Sequence, residues 1–162
     1  MLVMRLVAFG LLAVGLTVGV ASGSATTVGG SLSVEGARGL VQITGKGVLV
    51  GRMGKGTLEI TDLSASDQWS PRVYGIPRGK MVTLRGKNVS FYVPGGKYKL
   101  VARGTDISIS ARGSGTITLD GDPDAVGDTG MYAIGDDTPI PLPPGTTKTS
   151  FGPTDPSTPS AP

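Results

Sequence analysis

Residues 31–63 read SLSVEGARGLVQITGKGVLVGRMGKGTLEITDL, and residues 90–122 read SFYVPGGKYKLVARGTDISISARGSGTITLDGD. Set against each other at an offset of 59 residues, they share Ser31/Ser90, Val34/Val93, Gly36/Gly95, Gly45/Gly104, Gly54/Gly113, Gly56/Gly115 and Thr57/Thr116. Self-similarity at a fixed offset reads as an internal duplication. The apolar positions agree too: Leu32 matches Phe91, Val41 matches Leu100, Val48 and Val50 match Ile107 and Ile109, and Leu58 and Ile60 match Ile117 and Leu119. Apolar residues two apart have the period of a half-buried strand. Tyr92, Val101, Ser108, Thr116 and Thr118 fall between them, so one face is apolar and the other mostly polar, as in an antiparallel sheet wetted on one side.

Within each segment glycines fall nine apart, at 36, 45 and 54 and again at 95, 104 and 113. A short strand plus a tight turn fills that length, and glycine supplies the positive φ of hairpin turns. Gly45-Lys46-Gly47, Gly54-Lys55-Gly56 and Gly113-Ser114-Gly115 are therefore expected to be turns. Ser64 to Pro71 reads as a loop. Arg72 to Ile76 and Lys80 to Arg85 read as strands, and Met131 to Ile134 and Thr147 to Phe151 as later strands that close the sheet. Essentially no helix is expected after residue 25, because no segment there shows a sustained i, i+3, i+4 apolar pattern. The sum is an all-β domain, an antiparallel sandwich or barrel of about ten short strands. The alternative is a β-solenoid with a nine-residue rung.

The ends read differently. Arg5 precedes the uncharged run Leu6–Ala21, and small residues follow at Ser22-Gly23-Ser24-Ala25. A basic start, an apolar stretch and a small-residue exit make a secretory signal peptide over 1–25, cleaved after Ala25 or, alternatively, after Ala21 or Gly23. Its apolar stretch of 16 residues is short of the roughly 20 needed to span a bilayer as a retained anchor. Residues 26–152 form the β domain, and 153–162, PTDPSTPSAP, read as a disordered Pro/Ser/Thr tail. The expected location is secreted or cell-envelope, with the membrane met during export or through an uncleaved signal.

The 162 residues contain no Cys and no His, while Gly numbers 27 and Pro 12. That removes disulfides, thiolate chemistry, the usual zinc sites and the commonest general base. No cofactor is expected. No catalytic set is expected either, since no histidine is present to activate a serine. The carboxylates of Glu35, Glu59 and Asp62 are the residual candidates for glycosidase-type chemistry. Pro94, Thr118 and Gly121 stand at the matching positions of the second segment, so nothing marks those acids as a pair.

Charge is laid out unevenly. Arg38 through Leu119 holds thirteen basic and four acidic residues, whereas Asp120 onward holds seven acids and only Lys148. In Lys97-Tyr98-Lys99-Leu100-Val101-Ala102-Arg103, strand alternation puts the cations on one face and Tyr98 and Leu100 on the other. Arg85 and Lys87 extend the patch. Arg85, Lys87, Lys97, Lys99 and Arg103 are thus the expected binding residues for an anionic partner: an envelope polymer, a lipid headgroup or a protein. The alternative is a solvated face that keeps the domain soluble or blunts an edge. Nucleic acid is the least expected partner for a secreted chain, and basic–aromatic interleaving is thin, with Tyr92 and Tyr98 in different places.

Asp120, Asp122, Asp124 and Asp128 stand at positions 1, 3, 5 and 9 of a stretch resembling the start of a calcium loop. Ala125 stands where glycine is needed at position 6, and Met131 where the bidentate Glu belongs, so an acidic turn is the favoured reading. Asn88-Val89-Ser90 fits the N-glycosylation triplet by coincidence, and Trp69 is either a sugar-stacking platform or a plug at the core edge.

The signal peptide, the G-x-G-T-(I/L)-x-(I/L) strands at 54–60 and 113–119 and the Pro/Thr tail together resemble uncharacterised secreted β-rich proteins of high-GC bacteria. That resemblance implies the β fold and brings no functional residues. Bactofilin-like solenoids share the glycine-and-valine texture but not the leader or the unequal spacing. The expected function is a non-catalytic secreted or envelope-associated β-module that binds through its basic face. The alternative is a structural or self-assembling extracellular β-protein.

Overall fold

A computed structural model of the chain describes residues 30–64, 72–73, 81–125 and 128–153. The expected signal peptide, Trp69 and residues 154–162 lie outside the described residues. The described residues contain seven strands: β1 (Gly30–Asp62), β2 (Arg72–Val73), β3 (Met81–Val93), β4 (Lys97–Gly121), β5 (Met131–Ile134), β6 (Ile140–Pro141) and β7 (Thr147–Phe151). All pairing is antiparallel, in one sheet ordered β2-β3-β1-β4-β7, with β5 on β1 and β6 on β5. The all-β expectation holds, and β5 and β7 have the predicted bounds. Antiparallel pairing throughout rules out the parallel rungs of a solenoid. The sheet is single and curled into a half-barrel, where a sandwich would need two packed sheets.

The strand count differs because β1 and β4 are far longer than expected, at 33 and 25 residues. The three glycine triplets read as turns lie inside them. The architecture follows from two registers. In the first, β1 from Thr61 back to Leu49 pairs with β3 from Met81 to Val93. The same edge of β1 then continues from Lys46 back to Gly30 against β4 from Lys97 to Gly113. Residues 94–96 join β3 to β4 in line, with the Gly47 N–H donating to the Gly96 carbonyl at 3.0 Å. Chain 30–62 and chain 81–113 are thus the two arms of one long hairpin.

In the second register the outer edges of the two arms meet. Gly39–Asp62 pairs with Gly121–Tyr98. Ile43 therefore has Leu100 on one side and Ile117 on the other, and Leu100 has Ile43 and Ile60. The hairpin is coiled so that it hydrogen-bonds to itself. A straight strand of 33 residues would run about 110 Å, several times the width of one small core, so the ribbon has to bend.

Glycines sit where it bends. Gly47 pairs with Gly113 and Gly56 with Gly104, in the outer-edge register. The spacing of nine on each arm is the same spacing met from opposite directions. Segment 31–63 lies within one strand while 90–122 is the end of β3, a joint and β4, so the two segments are not equivalent structural units. At Gly56 and Gly104 φ is +156° and +154°, and a Cβ on either would run into the carbonyl oxygen of Arg103 or Lys55. Such kinks curve a sheet.

Alternation along each arm changes phase at bulges. Buried positions step from Val34 to Ala37, from Met53 to Leu58, and from Ala102 to Ile107, each an odd interval. Asp106 and Asn88 have φ of 57° and 53°, and Gly36 has 61°. Asp and Asn are the side chains that best tolerate this region. Both ladders skip at Gly54, which faces Asn88 on one side and Asp106 on the other. The phase changes after Met53 on β1 but before Ile107 on β4. Hence Val48 and Val50 point outward, with Val50 52% exposed, while their supposed counterparts Ile107 and Ile109 are buried. The expectation that Val48 and Val50 face the core is corrected on this ground.

The core is one cluster that includes Leu32, Ile43, Leu49, Met53, Leu58, Ile60, Phe91, Tyr98, Leu100, Ile107, Ile117, Leu119 and Phe151. It contains no buried polar or charged residue among those described.

Candidate functional site

The basic face builds up from this geometry. Lys97, Lys99 and Arg103 are exposed, and Tyr98, Leu100 and Ala102 between them are buried, as alternation requires. Arg85 and Lys87 on β3 are exposed on the same outer face. Coiling then brings residues from three strand segments side by side. Thr57 of β1 lies opposite Arg85 on one side and Arg103 on the other, and Lys55 lies opposite Lys87 and Thr105.

These two rows flank a line of paired glycines, Gly86, Gly56 and Gly104. The result is an open groove of about 570 Å³ lined by Lys55, Gly56, Thr57, Arg85, Gly86, Lys87, Arg103 and Gly104. Four of its eight lining residues are cationic and none is acidic. At a strand spacing of about 4.8 Å, Arg85 and Arg103 stand about 10 Å apart, and the two rows are about 7 Å apart.

Three of the five expected binding residues therefore converge: Arg85, Lys87 and Arg103. Lys97 and Lys99 share the face but lie further along β4. Lys97 is opposite Lys46, and Lys99 is opposite Thr44 and Thr61. Lys55 is the member that the sequence reading missed. With Gly54-Lys55-Gly56 read as a turn, Lys55 has no face. Read as strand, it alternates with Thr57 and joins the patch.

The acidic stretch takes a structural form. The Asp122 carboxylate accepts from the Asp124 N–H at 3.1 Å, and that of Asp128 from the Gly130 N–H at 2.8 Å. The Asp120 carboxylate accepts from the Thr146 hydroxyl at 2.8 Å. Among the described residues no three acidic side chains gather where a metal ion would sit. The residual catalytic candidates are dispersed over the ladder. Glu35 is opposite Met131, Glu59 is opposite Thr83 and Val101, and the Asp62 carboxylate accepts from the Ser64 N–H at 2.8 Å. Asn88 of the glycosylation triplet is a bulge residue.

Comparison with known proteins finds no match: no family model fits the chain, and no curated protein and no solved structure is similar to it. Among the described residues no helix is long and apolar enough to cross a membrane.

Proposed function

We propose that the chain is a non-catalytic, exported β-module of the cell envelope or extracellular space, binding an anionic surface through its basic sheet face. One observation supports this above the others: Lys55, Arg85, Lys87 and Arg103, from three strands, line a single groove with no carboxylate among its lining residues. Lys55 stands directly across from Lys87, and like charges so placed weaken a sheet. The same opposition recurs on this face between Lys46 and Lys97, outside the groove. The leader-like start at 1–25 and the resemblance to secreted β-rich bacterial proteins support an extracytoplasmic location.

Binding is tested by sedimentation with vesicles of phosphatidylglycerol against phosphatidylcholine over a range of salt. The wild type is expected to pellet with the anionic vesicles and to be released as salt rises. An Arg85→Glu/Lys87→Glu variant that pellets equally well contradicts the reading.

A second reading, self-assembly through sheet edges, is favoured by β7, whose partner among the described strands is β4 alone. Val48, Val50 and Tyr92 add an exposed apolar trio at 42%, 52% and 40% exposure. Oligomers that grow with concentration and ignore salt would select it.

A further inference from the structure

We infer that the groove takes a compact oligoanion carrying two or more phosphate-type groups, in preference to a long polymer lying along the sheet. This rests on the basic-face reading above and narrows its ligand. Arg85, Arg103 and Lys87 stand at three corners of a patch about 10 Å by 7 Å and Lys55 stands midway along the edge from Lys87 to Thr105, a size that long, flexible Lys and Arg side chains close over. Two of the four are arginines, whose planar forks grip phosphate oxygens in pairs. Thr57, between Arg85 and Arg103, adds a hydroxyl donor in the same row.

Carboxylates bound the patch on three sides. Along β1, Glu59 shares the outer face two residues beyond Thr57 and is diagonal to both arginines. At the other end Asp106 follows Thr105 and faces Gly54. Across the strands, the row through Arg103 continues to Leu40 and then Asp120. A polyanion extended along β1, or across the sheet past Leu40, meets negative charge. A compact one fits between. It also relieves the opposition of Lys55 and Lys87 by placing negative charge between them.

The experiment is calorimetric titration of the full chain with inorganic tripolyphosphate at fixed, near-physiological salt. It is run beside the vesicle assay, with melting curves of each protein. One saturable site is expected. Affinity falls at least tenfold in Lys55→Gln/Lys87→Gln and stays within twofold in Lys97→Gln/Lys99→Gln. Lys87→Gln alone melts above the wild type without anion and gains less when tripolyphosphate is added. No saturation, or equal losses in the two double variants, overturns the inference. If anionic vesicles still bind in that case, the envelope reading stands alone. If tripolyphosphate saturates while vesicles do not bind, the compact site stands and the surface reading falls.

Discussion

Individual residues carry much of the shape. Gly56 and Gly104 are held together by the absence of a Cβ, and backbone stands where one would go. Gly56→Ala is expected to cost about 3 kcal/mol or more in urea denaturation. Gly36→Ala, at φ +61° with nothing within 4 Å, is expected to cost about 1 kcal/mol. Equal costs would mean that the glycine pairing does not matter. Tyr98 makes a different point. Burial pushes its phenol up from 10.0 to about 12, because the phenolate is poorly solvated in the core. The unfolded chain then loses this proton first, so stability is intact below pH 10 and falls as pH rises from there toward 12. The loss amounts to about 2–3 kcal/mol for this group. Tyr98→Phe should flatten that stretch of the stability profile, and an unchanged profile would show the ring to be solvated.

At the scale of elements, the arms are strands with phase shifts. Ile43 is paired with Leu100 and Ile117 and fully buried, so Ile43→Ala should cost about 2–5 kcal/mol by chemical denaturation. Val50→Ala, on the wetted face, should change stability by less than about 0.5 kcal/mol. A large loss at Val50 would restore the inward reading. Asn88→Gly should gain about 1 kcal/mol by removing a side chain from left-handed backbone, whereas Asn88→Val should lose at least as much. Much of this scale is legible in sequence. The apolar-polar alternation at 97–103, the existence of β5 and β7 and the outward cations follow from the period of two. The bends do not, because glycine marks a turn and a close crossing of strands alike, and nothing local separates them. Nor do the bulges, since one αL residue such as Asp106 reverses every face after it. Those two ambiguities together hid Lys55 and turned Val48 and Val50 inward.

Across the whole molecule, one coiled hairpin produces both core and groove. Its outer-edge register sets Lys55 and Thr57 beside Thr105 and Arg103, while its inner register sets them beside Lys87 and Arg85. An uncoiled hairpin keeps Lys55 near Lys87 but sends Arg103 away. Loss of anion binding should therefore accompany loss of the coil, and Gly104→Ala is expected to weaken both, as read by melting and vesicle sedimentation. The most direct test of the coil itself is a backbone NOE spectrum centred on Ala102, which lies opposite Val41 in one register and Leu58 in the other. Cross-strand contacts from Ala102 to both Val41 and Leu58 are predicted. Contacts to Val41 without any to Leu58 would describe an open hairpin and would contradict the coil and the groove together.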